Sequence, residues 1–137
     1  MRAPDYLHAE LRSTLHFEVT WQDDRDVNLN IYQTIKGTTD LRDLLQVVNS
    51  TIEFLDEAWT RNVEGNLVNS TTADNQNLMS LNLTLTDVSL DTEGEYGITL
   101  TDAAQPEITF DTVGFRVDTF GMLFKAIYVY YRSHSSV

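Results

Sequence analysis

Carboxylates clustered in polar turns are the side chains best suited to chemistry in this sequence. Paired carboxylates serve acid–base catalysis, and oxygen-rich turns bind calcium. The acidic residues expected in turns are Asp23, Asp24, Asp26, Asp91, Glu93 and Glu95. Their spacing does not follow the EF-hand pattern, and the chain contains no P-loop, GxGxxG or GxSxG motif. We therefore expect solvated acidic turns rather than a catalytic or calcium-binding site.

Histidine and cysteine, which supply most metal ligands and many nucleophiles, are scarce. The three histidines are His8, His16 and His134, and no two of them have the spacing of ligands on a helix. The chain has no cysteine, which excludes disulfides, thiolate metal sites and a cysteine nucleophile. The sequence thus predicts no catalytic residue, no metal and no cofactor.

The composition describes a small, strongly acidic chain. It has 137 residues and a net charge of -12, from 21 acidic and 9 basic residues. Direct binding to nucleic acid requires clustered lysine and arginine, so it is not expected, whereas an acidic surface favours a basic protein partner. The start leads into no apolar run, and the apolar stretch 122–131 is shorter than the ~20 residues that cross a bilayer. We expect a cytoplasmic protein without membrane contact.

Apolar residues that alternate with polar ones predict five strands, each with one wet face. The alternating runs cover residues 15–21, 27–31, 79–85, 96–100 and 108–117. The first two are joined by a short polar link, which predicts a hairpin. The last run changes phase at Asp111 and Thr112, as a β-bulge would cause.

A change of period to three and four predicts a long amphipathic helix over residues 40–61. Its apolar stripe comprises Leu41, Leu44, Leu45, Val48, Ile52, Leu55 and Trp59. A similar pattern from Phe120 to Tyr131 predicts a second helix. The polar residues 62–77 between helix and strand read as a long loop, either functional or flexible.

Together these elements predict an α+β fold. The order ββαβββα suggests a two-layer sandwich, in which two helices cover one face of a five-stranded, mainly antiparallel sheet. The chain length fits one domain over residues 14–132. Residues 1–13 would form an N-terminal arm or short helix, and residues 133–137 would fray.

The wet face of that sheet is the best candidate for binding a partner. It is rich in threonine and asparagine and poor in charge, whereas a face shaped only for solubility would carry more lysine and glutamate. Its predicted binding residues are Glu18, Thr20, Asn28, Asn30, Tyr32, Asn82, Thr84 and Thr99. Tyr128 and Tyr130 join them, because three tyrosines near the end of the last helix cannot all face inward.

One segment points to a different architecture. Leu83-Thr84-Leu85-Thr86-Asp87-Val88, followed by Gly94-Glu95-Tyr96, resembles the tyrosine corner of immunoglobulin domains. Val27-x-Leu29-x-Ile31 resembles the strand that carries the first cysteine in that family. The resemblance implies a cysteine-less immunoglobulin-like β-sandwich, with Ile31 and Ile98 at the cysteine positions.

The resemblance covers under a quarter of the chain, and Thr92 occupies a position where the family usually has aspartate. The helical spacing over residues 40–61 also conflicts with strands there. We therefore keep the sandwich as the alternative fold and transfer no functional residue from the family.

Three classes of function remain open. The first is a non-enzymatic adaptor, inhibitor or immunity-type protein, encoded by a cell or a virus, that binds a partner through its open sheet face and acidic loops. The second is a self-assembling structural subunit of a phage particle or other complex. The third is an enzyme or small-ligand binder with a pocket between helix 40–61 and the sheet, or under the 62–77 loop.

Overall fold

The computed structural model describes residues 1–22 and 26–121, and in this part of the chain strands predominate. The strands are β1 (Tyr6–Glu10), β2 (Leu15–Gln22), β3 (Val27–Thr34), β4 (Leu41–Val48), β5 (Thr51–Phe54), β6 (Val63–Thr71), β7 (Asn77–Leu85), β8 (Gly94–Asp102) and β9 (Thr109–Phe120). A short helix, α1, covers Glu57–Asn62, and a 3₁₀ turn covers Leu90–Thr92. Among these residues, no helix has both the length and the apolar character needed to cross a membrane.

The strands form two sheets that pack on each other. The larger sheet has the order β1-β9-β8-β3-β4-β5, and the smaller has the order β2-β7-β6. All neighbours are antiparallel except β1 and β9, which are parallel. Val19 and Leu81 of the smaller sheet share one core with Ile31 and Ile98 of the larger sheet. The molecule is therefore a β-sandwich; the predicted α+β fold with two helices on one face is wrong, and the alternative sandwich fold is correct.

The predicted helix over residues 40–61 is instead made of β4, β5 and α1. A β-bulge on β4 places the adjacent residues Leu44 and Leu45 both in the core. The chain then reverses at Asn49 and Ser50, whose φ angles of 52° and 58° lie in the left-handed region. Because the bulge and the turn each disturb the two-residue period of a strand, the apolar residues acquire a spacing of three and four that mimics a helix.

The predicted hairpin of the first two strands is also wrong. β2 pairs with β7 in the smaller sheet, with Val19 opposite Leu81. β3 lies between β8 and β4 in the larger sheet. β2 and β3 therefore lie in different sheets. Two alternating runs joined by a short polar link have the same sequence pattern in a hairpin and in a crossover between sheets.

Two further segments differ from the prediction. Residues 63–76, within the predicted loop 62–77, form β6 and the turn into β7. Beyond Val63 and Leu67, this edge strand is mostly exposed, so it needs few apolar residues. Residues 6–10, predicted within an arm or short helix, form β1 beside β9. The second predicted helix begins at Phe120, which is the last residue of β9, and its remainder lies outside the described residues.

The tyrosine corner suggested by the sequence is present. The Tyr96 hydroxyl donates a hydrogen bond of 2.5 Å to the backbone carbonyl of Thr92, and the Tyr96 ring stacks on Phe115 at a centroid distance of 5.0 Å. The placement of Ile31 is wrong, however. Ile31 is the direct cross-strand neighbour of Ile98 in the larger sheet, whereas the family's cysteines join the two sheets. β3 thus corresponds to the strand beside the tyrosine-corner strand.

Candidate interaction face

The binding residues predicted on one wet face are divided between two opposite faces of the sandwich. Asn28, Asn30, Tyr32 and Thr99 lie on the outer side of the larger sheet. Glu18, Thr20, Asn82 and Thr84 lie on the outer side of the smaller sheet. These strands have the alternation that the sequence predicts, but they belong to two sheets instead of one. A single partner patch therefore cannot include both groups, and the two outer faces are considered separately.

Tyr32 occupies the centre of the outer face of the larger sheet, which we call the Tyr32 face. Its ring lies across the backbone of Gly97: a Cβ built on Gly97 would be 2.2 Å from Cζ and 2.3 Å from the hydroxyl oxygen of Tyr32. Gly97 is Tyr32's cross-strand neighbour, and it is buried under the ring. The absence of a side chain at Gly97 is therefore what allows an aromatic ring to lie flat on this face.

Beside the ring, the face is bare backbone. Gly114 of β9 is the cross-strand neighbour of Gly97, and a Cβ at Gly114 would meet no atom of the described residues closer than the Tyr96 carbonyl oxygen at 3.6 Å. The Tyr32 ring and the space over Gly114, which no other described residue fills, thus form a shallow step. A side chain from another molecule can rest against the edge of the ring there.

The neighbouring row of this face is uncharged on β3, β8 and β9. Asn30, Thr99 and Thr112 are cross-strand neighbours on β3, β8 and β9. The Asn30 side-chain amide donates to a carboxylate oxygen of Asp43 at 3.2 Å, so this nearby charge is hydrogen-bonded within the face. A row of short hydroxyl and amide side chains costs little to desolvate compared with a row of charges.

A second group of charges on the Tyr32 face is paired toward the β1 edge. The Arg116 guanidinium donates to Glu95 at 2.9 Å and to Asp118 at 3.0 Å, and the Tyr6 hydroxyl donates to Asp118. The hydrogen bond with Asp118 raises the pKa of Tyr6, and the same bond lowers the pKa of Asp118. The bond to Glu95 raises the pKa of Arg116. The network therefore favours the ionised forms of Arg116 and Asp118.

Aromatic side chains continue at that edge. Tyr6 and Phe120 are each 50% exposed. The His8 ring lies between them, at centroid distances of 4.6 Å from Tyr6 and 6.1 Å from Phe120. Exposed aromatic residues are enriched in protein interfaces, so this cluster extends the candidate surface beyond Tyr32.

The opposite face offers less to a partner. Glu18 pairs across the sheet with Asn82, and Thr84 is within 3.0 Å of the ring nitrogen Nδ1 of His16. On the three described strands of this sheet, no phenylalanine, tyrosine or tryptophan points outward. Apart from Val68 and Leu78, the described strands present polar and charged groups on this face, typical of a solvated surface.

The acidic turn residues do not form a separate acidic patch. Asp91, Glu93 and Glu95 line an open depression of about 570 Å³ together with the basic residues Lys36 and Arg42 and other side chains. Within residues 1–22 and 26–121, no group of histidine and carboxylate side chains is placed to hold a metal ion. The pocket expected against helix 40–61 does not exist as such, because that helix is absent.

The remaining predicted residues are only partly accounted for. Asp26 is exposed at the start of β3, where its carbonyl accepts from the Ala103 amide. Asp23, Asp24, Tyr128 and Tyr130 lie outside the described residues. Three residues of the Tyr32 face were missed: Gly97, Gly114 and Arg116. A glycine inside a strand pattern is a signal of close approach, and it was available in the sequence at both glycine positions.

Comparison with known proteins shows the fold alone. No family model and no curated protein matches the chain. Among solved structures, 848 chains match. One of them, from a chicken TCR crystal structure, aligns with 89% of this chain at 11% identity and a TM-score of 0.65. The match spans 50% of that chain, so this protein corresponds to about half of its length.

Proposed function

We propose that this protein is a non-enzymatic interaction module that binds another protein through the Tyr32 face. The observation that carries the proposal is the Tyr32 ring held flat on Gly97 beside the bare backbone of Gly114. A large ring that is already ordered loses little conformational entropy when a partner covers it.

The distribution of polarity on the face supports the same reading. Protein interfaces concentrate binding energy in a few central aromatic or arginine side chains, with charge depleted at the core and polar groups at the rim. Here Tyr32 is central, the row through Thr99 is uncharged on β3, β8 and β9, and the network of Arg116 lies toward the edge. Asp43 beside Tyr32 is the one charge near the centre among these described residues, and it already accepts a hydrogen bond from Asn30. The charges of the Arg116 network can remain solvated while the centre is covered.

The net charge suggests the kind of partner. With -12 overall, the chain attracts a protein with a basic surface, and such attraction accelerates association more than it strengthens the final complex. Exposed carboxylates such as Asp91 and Glu95 border the face and would meet basic residues of the partner. We expect the association rate to fall as salt is added, with a smaller change in the dissociation rate.

A cytoplasmic location belongs to the same proposal. Ile98, fully buried, stands in the tyrosine-corner strand where the immunoglobulin family carries a cysteine. The sandwich is thus held by packing at this point rather than by a bond that a reducing compartment would break. Localisation of a fluorescently tagged chain in the source cells would test it.

The binding face is tested with one pair of matched substitutions. Thr99→Arg places a long charged side chain in the middle of the Tyr32 face, and Thr84→Arg makes the same change on the opposite face. Partners are captured from source-cell extract with the unmodified chain, identified, purified and titrated against both variants. We expect Thr99→Arg to weaken binding by about tenfold or more and Thr84→Arg to leave it nearly unchanged.

Both variants must first unfold at temperatures close to that of the unmodified chain. If Thr84→Arg abolishes binding and Thr99→Arg does not, the partner uses the smaller sheet and the proposal is wrong. If no protein binds the unmodified chain above background at low salt, the interaction function itself is refuted.

A further inference from the structure

The open edge of the smaller sheet, formed by β6, is the longest unpaired strand edge in residues 1–22 and 26–121. β6 has nine residues and pairs only with β7 among the described strands. Two hydrogen bonds at the ends of β6 show which alternate residues bond to β7. The Thr86 N–H donates to the Asn62 carbonyl and the Thr72 N–H donates to the Gln76 carbonyl, both at 2.9 Å. Even-numbered residues therefore bond to β7, and odd-numbered residues direct their backbone groups away from it.

The outward groups of β6 begin at Gly65, because the Val63 amide already donates to the Trp59 carbonyl at the end of α1. From there, Gly65, Leu67, Asn69 and Thr71 present N–H and C=O groups to the open edge. No described residue hydrogen-bonds to these groups. Unpaired edge groups of this kind are a template for another strand.

The other edges in the described part of the chain are shorter or shielded. β5 has four residues, β1 has five, and the part of β9 that does not pair with β1, residues 109–115, has seven. β2 is covered toward its end by Arg2, which exchanges two backbone hydrogen bonds with Thr20. β6 also lacks the devices that normally protect an edge: it contains no lysine and no proline, and its one charged residue is Glu64.

We propose that β6 pairs antiparallel with β6 of a second copy of this chain, across a two-fold axis at Leu67. In this register Gly65 pairs with Asn69 of the other copy, and Leu67 pairs with itself. The three odd-numbered pairs exchange about six hydrogen bonds. The two smaller sheets become one sheet of six strands with the order β2-β7-β6-β6-β7-β2.

The side chains of β6 suit a second copy in this register. Glu64 lies opposite Ser70, so the two glutamates are at opposite ends of the junction and like charges do not meet. Asn66 lies opposite Val68, which is 43% exposed in the single chain and would lose water contact. The register therefore keeps like charges apart and covers an exposed apolar side chain, as a two-fold interface requires.

This surface is separate from the Tyr32 face, so the inference does not rest on the proposed function. The two lie on different sheets, and a dimer through β6 leaves both copies of the Tyr32 face uncovered by the junction. A substitution that disrupts one surface is expected to leave binding at the other unchanged, which keeps the two proposals distinguishable.

The first experiment uses two variants at one position. Asn69→Pro removes an outward N–H that β7 does not use, whereas Asn69→Ala removes the same side chain and keeps the N–H. Sedimentation over rising concentration should show a monomer–dimer equilibrium for the unmodified chain and for Asn69→Ala, and a monomer for Asn69→Pro. A chain that stays monomeric at about millimolar concentration, or a dimer that survives Asn69→Pro, overturns the proposal.

A second measurement needs no variant and covers the case in which Asn69→Pro does not fold. In the unmodified chain, amide hydrogen exchange at Leu67 and Asn69 should slow at least tenfold as concentration rises. The amides of Val68 and Ser70 already bond to β7 and should change little. Slowing at both parities, or at neither, refutes edge pairing. If the exchange of the outward amides is slow in protein that elutes at the size of a monomer, β6 is covered by a foreign peptide and not by a second copy, and the proposal is wrong.

Discussion

Replacing Tyr96 with phenylalanine tests the core and the tyrosine corner in one variant. Tyr96 is 5% exposed, and its hydroxyl is bonded to the Thr92 carbonyl. Burial raises its pKa well above the ordinary value of 10.0. Phenylalanine keeps the ring that stacks on Phe115 but removes both the hydrogen bond and the group that can ionise.

The loss of the hydrogen bond destabilises Tyr96→Phe, whereas the loss of the ionisable group stabilises it relative to the unmodified chain at high pH. At neutral pH the lost hydrogen bond lowers the free energy of unfolding by about 1 kcal/mol. Above pH 10, Tyr96 ionises in the unfolded chain but stays protonated in the folded chain, so the unfolded state binds fewer protons. The unmodified chain then loses about 1.4 kcal/mol of stability per pH unit through Tyr96, a loss that Tyr96→Phe does not suffer. The unmodified chain should therefore lose its stability advantage over Tyr96→Phe near pH ~11, and above that pH Tyr96→Phe should be the more stable of the two.

Urea unfolding followed by tryptophan fluorescence measures this difference between pH 7 and pH 11. Trp59 is a suitable reporter, because it is buried and its ring centroid is 6.4 Å from that of Tyr96. Lysine and the other tyrosine side chains also titrate at high pH, but they do so in both chains and cancel in the comparison. A stability difference that stays constant across this range would refute the reasoning, since it would mean that Tyr96 ionises equally in both states.

Two smaller predictions concern the Tyr32 face. Gly97→Ala should lower the free energy of unfolding by about 1–2 kcal/mol, because the new Cβ displaces the Tyr32 ring. Gly114→Ala should change the free energy of unfolding by less than about 0.5 kcal/mol. Equal losses for the two variants in urea titrations would contradict the position of the ring. Asp118→Asn should move the pKa of Tyr6 down toward its ordinary value, as measured by NMR titration of the Tyr6 ring carbons, and an unchanged value would show that the hydrogen bond is not formed in solution.

The strands that sequence alternation located are those with one face in the core and no irregularity. β2, β7 and β8 each keep a strict two-residue period, for example Leu81 and Leu83 on β7. The same rule failed at β4 and β5, where a bulge and a two-residue left-handed turn changed the spacing. A local period cannot distinguish a helix from a strand whose register shifts, because the shift is set by the partner strand.

Which strands pair with each other was harder to predict from the sequence than where the strands lie. Nothing in the composition of β3 says that it lies beside β8 instead of β2, and the polar link between β2 and β3 suits either arrangement. The segment around Tyr96 carried that information, because a tyrosine corner fixes a strand of one known sheet. The tyrosine corner is therefore a stronger indicator of this fold than the helical spacing of residues 40–61. It predicts a sandwich, in which the candidate residues are divided between two faces.

The core shows how an immunoglobulin-like sandwich holds without a disulfide. Fully burying an isoleucine such as Ile98 stabilises a fold by roughly 1.5–3 kcal/mol, which overlaps the 2–4 kcal/mol typical of a disulfide. Tyr96 and Phe115 stack in the same core, and Trp59 of α1 supplies an indole to it. Packing of this kind depends on every neighbour, so Tyr96 and its hydroxyl bond are expected to matter more here than in a domain whose sheets are covalently joined.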